Sequence, residues 1–148
     1  MKPSPIIFNG YHTVGGVSKG EIFASLFKRE EELALKNEST VLLADSAKGI
    51  LHVRRMAYFE FSADTTINNE LVRNVVVRKV PFQYLVEFNI GSNRFIYKVF
   101  GFSTLNGKAI LRNDRKNPAL SNHAEKEVWN FRDGLTSAAI SMSMDRFK

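Results

Sequence analysis

The sequence predicts an α+β protein with a five- to six-stranded, mainly antiparallel meander sheet, an N-terminal capped helix and a C-terminal amphipathic helix. Residues 71–112 predict most of the sheet, because they are dense in β-branched and aromatic residues and are interrupted at short intervals by turn residues. Residues 18–36 and 118–142 predict the helices, because their apolar residues recur at helical spacing. A chain of 148 residues is long enough to bury the core of one such domain.

The first 17 residues are expected to form an N-terminal arm, followed by a single α+β domain at residues 18–148. The arm carries three glycines and two prolines and has no helical period, and a short strand is expected at Ile6–Phe8. An arm of this composition would be ordered only by packing against another surface, and a neighbouring subunit is one candidate.

The N-terminal helix is predicted from its cap. Ser18 and Glu21 form the pattern Ser-x-x-Glu, which satisfies the free amide groups at a helix start. The helix is expected to span residues 19–36 and to end near Asn37. The glycine-rich stretch 15–20 lacks the Gly-Lys-Ser/Thr sequence of a phosphate-binding loop, and it is interpreted as a linker into the helix.

The first strands follow this helix. Thr40–Ala44 is compatible with a short strand or a short helix, and the turn residues at 45–49 favour the strand. Ile50–Phe61 alternates between apolar and polar residues, which is typical of a half-buried strand. Arg55 is an exception, because it falls on the apolar side of this alternation.

Turn residues and alternation also predict the rest of the chain. Pro81 is expected to break the strand pattern and to lie at a strand start or edge, because it has no amide donor. Asn106 and Gly107 predict a type I′ turn, since both residue types tolerate positive φ. The C-terminal helix is expected to begin at Pro118 or Ser121. In order, the elements are a turn at 64–69, strands at 71–77 and 82–90, a loop at 91–93, a strand at 95–102, a return at 109–111 and a polar loop at 112–117.

The net charge of +6 is concentrated in the predicted sheet. Residues 50–117 hold 11 lysines and arginines against 5 acidic residues, whereas the segments before and after are balanced. A basic surplus on one element indicates a polyanionic partner such as nucleic acid. The alternative is that these cations only keep the solvent side of the sheet soluble.

Basic side chains and neighbouring rings on the predicted strands and loops are the expected nucleic-acid-binding residues. Proteins that bind single strands place cations along the phosphates and stack bases on aromatic rings. The residues are His52, Arg54, Tyr58, Arg73, Arg78, Lys79, Arg94, Tyr97, Lys98, Lys108, Arg112, Arg115 and Lys116. For Tyr97 the alternative is a place in the core of a sheet that is buried on both faces.

The sequence contains no motif that predicts catalysis, a metal or a cofactor. It has no cysteine, and its three histidines, His12, His52 and His123, are isolated from one another. A metal-independent ribonuclease or a toxin-like enzyme would need one of them beside Glu60, Glu87 or Tyr84. No catalytic residue is assigned, and we expect a binding protein rather than an enzyme.

The expected function is that of a non-enzymatic, basic, homo-oligomeric protein that binds single-stranded nucleic acid through its sheet. The alternative is a viral or phage structural assembly subunit, because a sheet that is apolar on both faces leaves area for a neighbour to bury. The ribonuclease is third. The first residues lack the features of a signal peptide, and no apolar run is long enough to span a bilayer. No membrane partner is therefore expected, and the expected location is the cytoplasm of a cell or of an infected host.

Overall fold

The computed structural model describes residues 2–145, except for the side chains of residues 61–63, 65, 74–78 and 145. In chain order its elements are β1 (Ser4–Pro5), β2 (Phe8–Thr13), α1 (Lys19–Ala34), β3 (Ser39–Asp45), β4 (Ile50–Ile67), β5 (Glu70–Gly91), β6 (Arg94–Thr104), β7 (Leu111–Arg112) and α2 (Pro118–Asp145). The predicted α+β class, with an antiparallel sheet, a helix near the N-terminus and a C-terminal helix, is confirmed. Neither of the two described helices has an apolar stretch long enough to cross a bilayer.

Five strands form one antiparallel sheet in the order β2-β6-β5-β4-β3. Strands β3 to β6 are neighbours in both sequence and space, as a meander predicts. Strand β2 completes the sheet at the far edge and pairs with β6 from Phe8↔Val99 to Thr13↔Arg94. Residues 8–13 thus pair within the sheet, although they fall in the segment expected to form an arm. Strands β1 and β7 form a separate two-stranded sheet.

The β4–β5 hairpin is longer than predicted, because the turn predicted over residues 64–69 is confined to its last two residues. Both strands continue to a two-residue turn at Asn68 and Asn69, whose φ angles of 53° and 65° suit asparagine. The predicted break at Pro81 is wrong, since this residue lies inside β5, but its expected place at an edge is confirmed. Strand β5 pairs with β6 only from Phe82 onwards, so the proline lies where the sheet has an edge and a missing donor is tolerated.

We call residues 60–79 the ribbon, because β4 and β5 pair only with each other there. Strand β3 pairs with β4 no further than Arg55, and β6 pairs with β5 no further than Phe82. The ribbon starts beyond the pair Phe59↔Val80, which is where the two strands leave the core. An isolated two-stranded hairpin is only marginally stable in water, so the ribbon relies on its attachment at that pair.

The helix boundaries follow the predicted caps. The hydroxyl of Ser18 accepts a hydrogen bond from the amide of Glu21 at 3.2 Å and opens α1. Helix α1 ends at Ala34, and Asn37, with a φ of 59°, turns the chain into β3. The strand that was favoured over a second short helix is therefore confirmed. Helix α2 begins at Pro118, the first of its two predicted starts.

The chain turns at Asn106 and Gly107 as predicted, but the predicted type I′ geometry is wrong. Only Gly107 has a positive φ, of 85°, whereas a type I′ turn needs two such residues. The amide of Gly107 donates to the carbonyl of Thr104 at 2.9 Å and closes a turn that is left-handed only at its last residue. The returning chain meets β6 at the single bridge Ser103↔Ala109.

Both helices pack on the same face of the sheet, and an aromatic core lies between them and the strands. Phe131 of α2 is at its centre, with ring centroids 5.8 Å from Tyr97, 6.2 Å from Tyr84 and 6.3 Å from Phe88. All four side chains are almost completely buried. Burial of this much aromatic surface stabilises the contact between the last helix and the central strands.

A buried ion pair explains why Arg55 falls on the apolar side of β4. Its guanidinium donates to both carboxylate oxygens of Glu30 on α1, at 2.6 Å from Nη2 and 2.8 Å from Nε. The hydroxyl of Ser39 donates to the same carboxylate at 2.9 Å. Burial lowers the pKa of Arg55, but the charge and hydrogen bonds of Glu30 outweigh burial, and the pKa is raised overall.

Candidate nucleic-acid interface

None of the described elements covers the second face of the five-stranded sheet, which we call the open face. Strand β4 shows the difference: Leu51 and Val53 are fully buried beneath the helices, whereas His52 and Arg54 alternate with them and reach solvent. The alternation continues along β5 and β6. An antiparallel sheet commonly has one covered face and one solvated face, and only residues on the solvated face are available to a partner.

Part of the predicted set comes together on the open face. It consists of His52, Arg54, Tyr58, Arg94 and Lys98. The strand register places His52, Glu87 and Lys98 in one row across three strands. Glu87 occupies the middle of this row, because adjacent strands lie only about 4.8 Å apart, and it offsets part of the positive charge.

The outward side chains of β6 alternate between cations and apolar groups. They are Arg94, Ile96, Lys98 and Phe100, at intervals of about 6.7 Å along the strand. The Nζ atom of Lys98 lies 4.7 Å from the centroid of the Phe100 ring, which is a cation–π contact. Arg54 falls in the same row as Phe100, two strands away. A surface with cations beside aromatic rings can contact the phosphates of a nucleic acid with the cations and stack its bases on the rings.

Three residues of the open face were not predicted: Tyr11, Ile96 and Phe100. Tyr11 and Ile96 are cross-strand partners and are 71% and 45% exposed. Tyr11 was missed because a glycine and a histidine occupy inward positions of β2, so the hydrophobic alternation of this strand is weak. Ile96 and Phe100 were missed because β6 is apolar on both sides, and a sequence does not show which side the helices cover.

Tyr97 does not lie on the open face. It is 3% exposed on the covered face, and its ring stacks on His12 with a centroid distance of 6.0 Å. Burial raises the pKa of Tyr97, and Arg132 offsets part of that increase. Burial, together with the charge of Arg132, lowers the pKa of His12. Because the ring is covered by the core, no base can stack on Tyr97 in this structure.

Some of the remaining predicted residues lie on the ribbon. Arg73 and Lys79 are exposed there, and the Nζ atom of Lys79 lies 3.3 Å from a carboxylate oxygen of Glu60. The side chain of Arg78 lies outside the described residues. These cations belong to the hairpin that continues beyond the other strands of the sheet.

The other predicted residues surround the start of α2. They are Lys108, Arg112, Arg115 and Lys116. Arg112 is paired with Glu125 of α2, with 2.6 Å between Nε and Oε1. Three of these cations line depressions on the helical side of the sheet, so they form a second basic cluster that is separate from the open face.

The three histidines are placed on three different elements. His12 packs into the core from β2, and His123 belongs to α2, whereas His52 faces solvent beside its cross-strand partner Glu87. Of the other candidate partners, Tyr84 is 1% exposed and Glu60 is paired with Lys79. Among the described side chains, no three His, Asp or Glu residues are grouped so that they would hold a metal ion.

The fold and the site define a protein with helices on one face of an antiparallel sheet and a basic, partly aromatic surface on the other. A solved structure of a DUF4468 family protein from Bacteroides ovatus ATCC 8483 is similar, with a TM-score of 0.61 at 12% identity over 94% of this chain and 86% of that one. A TBP-like protein from Parabacteroides distasonis ATCC 8503 is similar with a TM-score of 0.60 at 17% identity over 94% and 95%. No protein-family model matches the chain, and no curated protein matches it significantly. At these identities the likeness shows the fold alone.

Proposed function

We propose that the protein is a non-enzymatic binding protein that holds single-stranded nucleic acid on the open face of its sheet and works as a homo-oligomer. The nucleic-acid part rests on one observation, the presence of Arg54, Arg94 and Lys98 together with the rings of Tyr58 and Phe100 on a face that the helices leave uncovered. Cations and rings on a solvated sheet are the groups that single strands use.

The three cations are spread in a way that suits a chain of phosphates. Arg94 and Lys98 are about 13 Å apart along β6, and Arg54 lies two strands away. No described carboxylate is within ion-pair distance of any of them. Their charge is therefore available to a polyanion, apart from the part that Glu87 offsets beside Lys98, and a strand bound across the sheet would contact them in succession.

The rings supply the second part of the interface. Tyr58 and Tyr11 are 58% and 71% exposed at opposite sides of the open face, and Phe100 lies between them beside Lys98. Stacking on an exposed ring is worth about 1–3 kcal/mol per base and tolerates any sequence. The open face thus supports binding with little sequence preference.

The triple variant Arg54→Glu, Arg94→Glu, Lys98→Glu is expected to abolish binding of a short fluorescent single strand, measured by fluorescence anisotropy. Three phosphate contacts release counterions with a slope of about −2 in log affinity against log salt. The native protein should therefore lose about 20-fold in affinity between 50 mM and 200 mM salt. The variant should still fold, because Arg54 and Arg94 are exposed and Lys98 is only half-buried. Lys98→Glu places a second carboxylate opposite Glu87, which should cost about 1 kcal/mol or less.

A matched control variant replaces three exposed lysines on the helical side by glutamate, namely Lys28, Lys36 and Lys126. This control changes the net charge by the same amount and should leave binding close to the native level. Equal losses in the two variants would mean that only net charge matters, and they would contradict the open face as the site. Metal-free cleavage of an RNA probe that is lost in His52→Ala would favour the ribonuclease instead.

Self-association is supported by the ribbon. Ile67 and Val72, which share one face of the ribbon near its tip, are 49% and 37% exposed. Exposed apolar side chains on a two-stranded hairpin have no core to stabilise them. The partner proposed for them is a second copy of this chain, because two ribbons related by a two-fold axis would bury the same side chains from each copy.

Replacing Ile67 and Val72 by serine is expected to lower the mass measured by light scattering to that of one chain, because the apolar contact between ribbons is lost. Circular dichroism should not change, since both side chains are exposed in the single chain. The matched variant Leu35→Ser, Leu42→Ser replaces two exposed apolar residues outside the ribbon and should keep the native mass. A native protein that is already a monomer would contradict self-association and leave the nucleic-acid proposal to its own test.

A further inference from the structure

A cleft lies at the foot of the ribbon, on the helical side of the sheet and away from the open face. Its volume is about 410 Å³, which is within the range of small-molecule sites. Its floor is apolar and consists of the buried Phe59 and Ile110 with the half-buried Val80 and Leu120. An apolar floor of this size offers a ligand substantial hydrophobic burial.

The cleft exists because several elements begin or end around it. Phe59 and Val80 form the last core pair before the two strands continue into the ribbon. Strand β6 has ended at Thr104, and α2 begins only at Pro118, so the turn after β6 and the first helical turn form opposite walls. The floor therefore comes from the sheet and the walls from the chain between the last strand and the last helix.

The rim of the cleft is positively charged. Lys108 and Lys116 line it, and neither has a described carboxylate within ion-pair distance. Asp114 is the acidic residue at the rim, and its carboxylate accepts the backbone amide of Lys116 at 2.9 Å. An adjoining depression that shares Asp114 and Lys116 adds the cations Lys2 and Arg115. Cations thus outnumber the carboxylate around the mouth of an apolar cavity.

We propose that this cleft binds an amphipathic anion, a small molecule with an alkyl chain and a carboxylate head. The alkyl chain would lie along Phe59, Val80 and Leu120, and the head would reach Lys108 and Lys116 at the rim. Phosphates of a nucleic acid would match the rim but would leave the floor empty. This inference goes beyond the nucleic-acid proposal, and the two are independent because the cleft and the open face lie on opposite sides of the sheet.

The test titrates hexanoate, octanoate and decanoate, below their micelle concentrations, into the full-length protein by isothermal calorimetry. Affinity should rise about fourfold for each added methylene, because each is buried on the floor. Decanol should bind more weakly than decanoate, and decyltrimethylammonium should not bind. Amide chemical shifts should change mainly between residues 104 and 120 and around Phe59 and Val80, which together line the cleft.

Substitutions at the rim and within the cleft test separately how each part contributes to the affinity for decanoate. Lys108→Gln with Lys116→Gln should reduce the affinity for decanoate to that for decanol, whereas Lys28→Gln with Lys126→Gln should not change it. Ala119 is exposed and lines the cleft, so Ala119→Trp should block every chain length without disturbing the core. The inference is overturned if decanoate neither gives heat nor shifts amide resonances, if decyltrimethylammonium binds equally well, or if inorganic phosphate binds as tightly as decanoate.

Discussion

Replacing Glu30 by leucine is expected to lower the free energy of unfolding by about 3–5 kcal/mol, because it leaves the guanidinium of Arg55 buried without a counter-charge. Glu30 is 1% exposed and Arg55 is 8% exposed, so water cannot take the place of the lost partner. The hydroxyl of Ser39 loses its acceptor in the same variant. Urea unfolding followed by circular dichroism measures the change.

The double variant Glu30→Leu, Arg55→Met separates the ion pair from the packing around it. Removing both charges is expected to restore most of the stability, because no unpaired charge remains and the two apolar chains fill similar space. Glu60→Gln is the matched control, since it breaks the exposed pair with Lys79 and should cost no more than about 1 kcal/mol. A double variant less stable than either single variant would show that the pair itself stabilises the fold.

Replacing Phe131 by alanine is also expected to cost about 3–5 kcal/mol, because it removes the ring that joins α2 to the sheet. The ring contacts Tyr84, Phe88 and Tyr97, and the Cζ atom of Arg55 lies 5.1 Å from its centroid. The same deletion therefore opens a cavity and removes a cation–π contact to the buried guanidinium. Thermal or urea unfolding of the purified variant gives the magnitude.

Trp129→Ala is the matched control for this substitution, because it deletes a larger ring two residues away on α2. Trp129 is 60% exposed and packs on Arg132, whose Cζ atom lies 4.5 Å from its ring. Its loss should cost about 1 kcal/mol or less, as expected for a surface contact. Similar costs for the two variants would contradict the central place of Phe131 in the core.

Local signals in the sequence predict much of the fold. The capping pattern at Ser18, the proline at 118 and the alternation from Ile50 each act on the backbone within a few residues. Helices α1 and α2 and strand β4 begin where these signals predict. The predictions that failed concern residues whose conformation depends on a neighbouring element. Pro81 lies within a strand because β6 has already ended beside it, and no local pattern shows where a neighbouring strand ends.

The candidate site is less predictable than the fold. Composition and charge indicate a basic sheet, and Arg54, Arg94 and Lys98 do lie together on the open face. Tyr97 belongs to the core instead. Adjacent residues of a strand point to opposite faces, and because both sides of β6 are apolar, the sequence does not show which of them faces the core. Tyr11 joins the face because β2 pairs with a strand more than 80 residues later in the chain.

The sequence by itself determined the α+β class, the two helices, the meander and the basic character of its strands, because these depend on local propensity and period. Only the tertiary structure decided which face the helices cover, that Glu30 neutralises Arg55, and that Lys108 and Lys116 flank a cleft. Each of these depends on contacts between residues distant in the chain. Such contacts form when elements pack to bury apolar surface, and that packing has no signature within a local stretch of sequence.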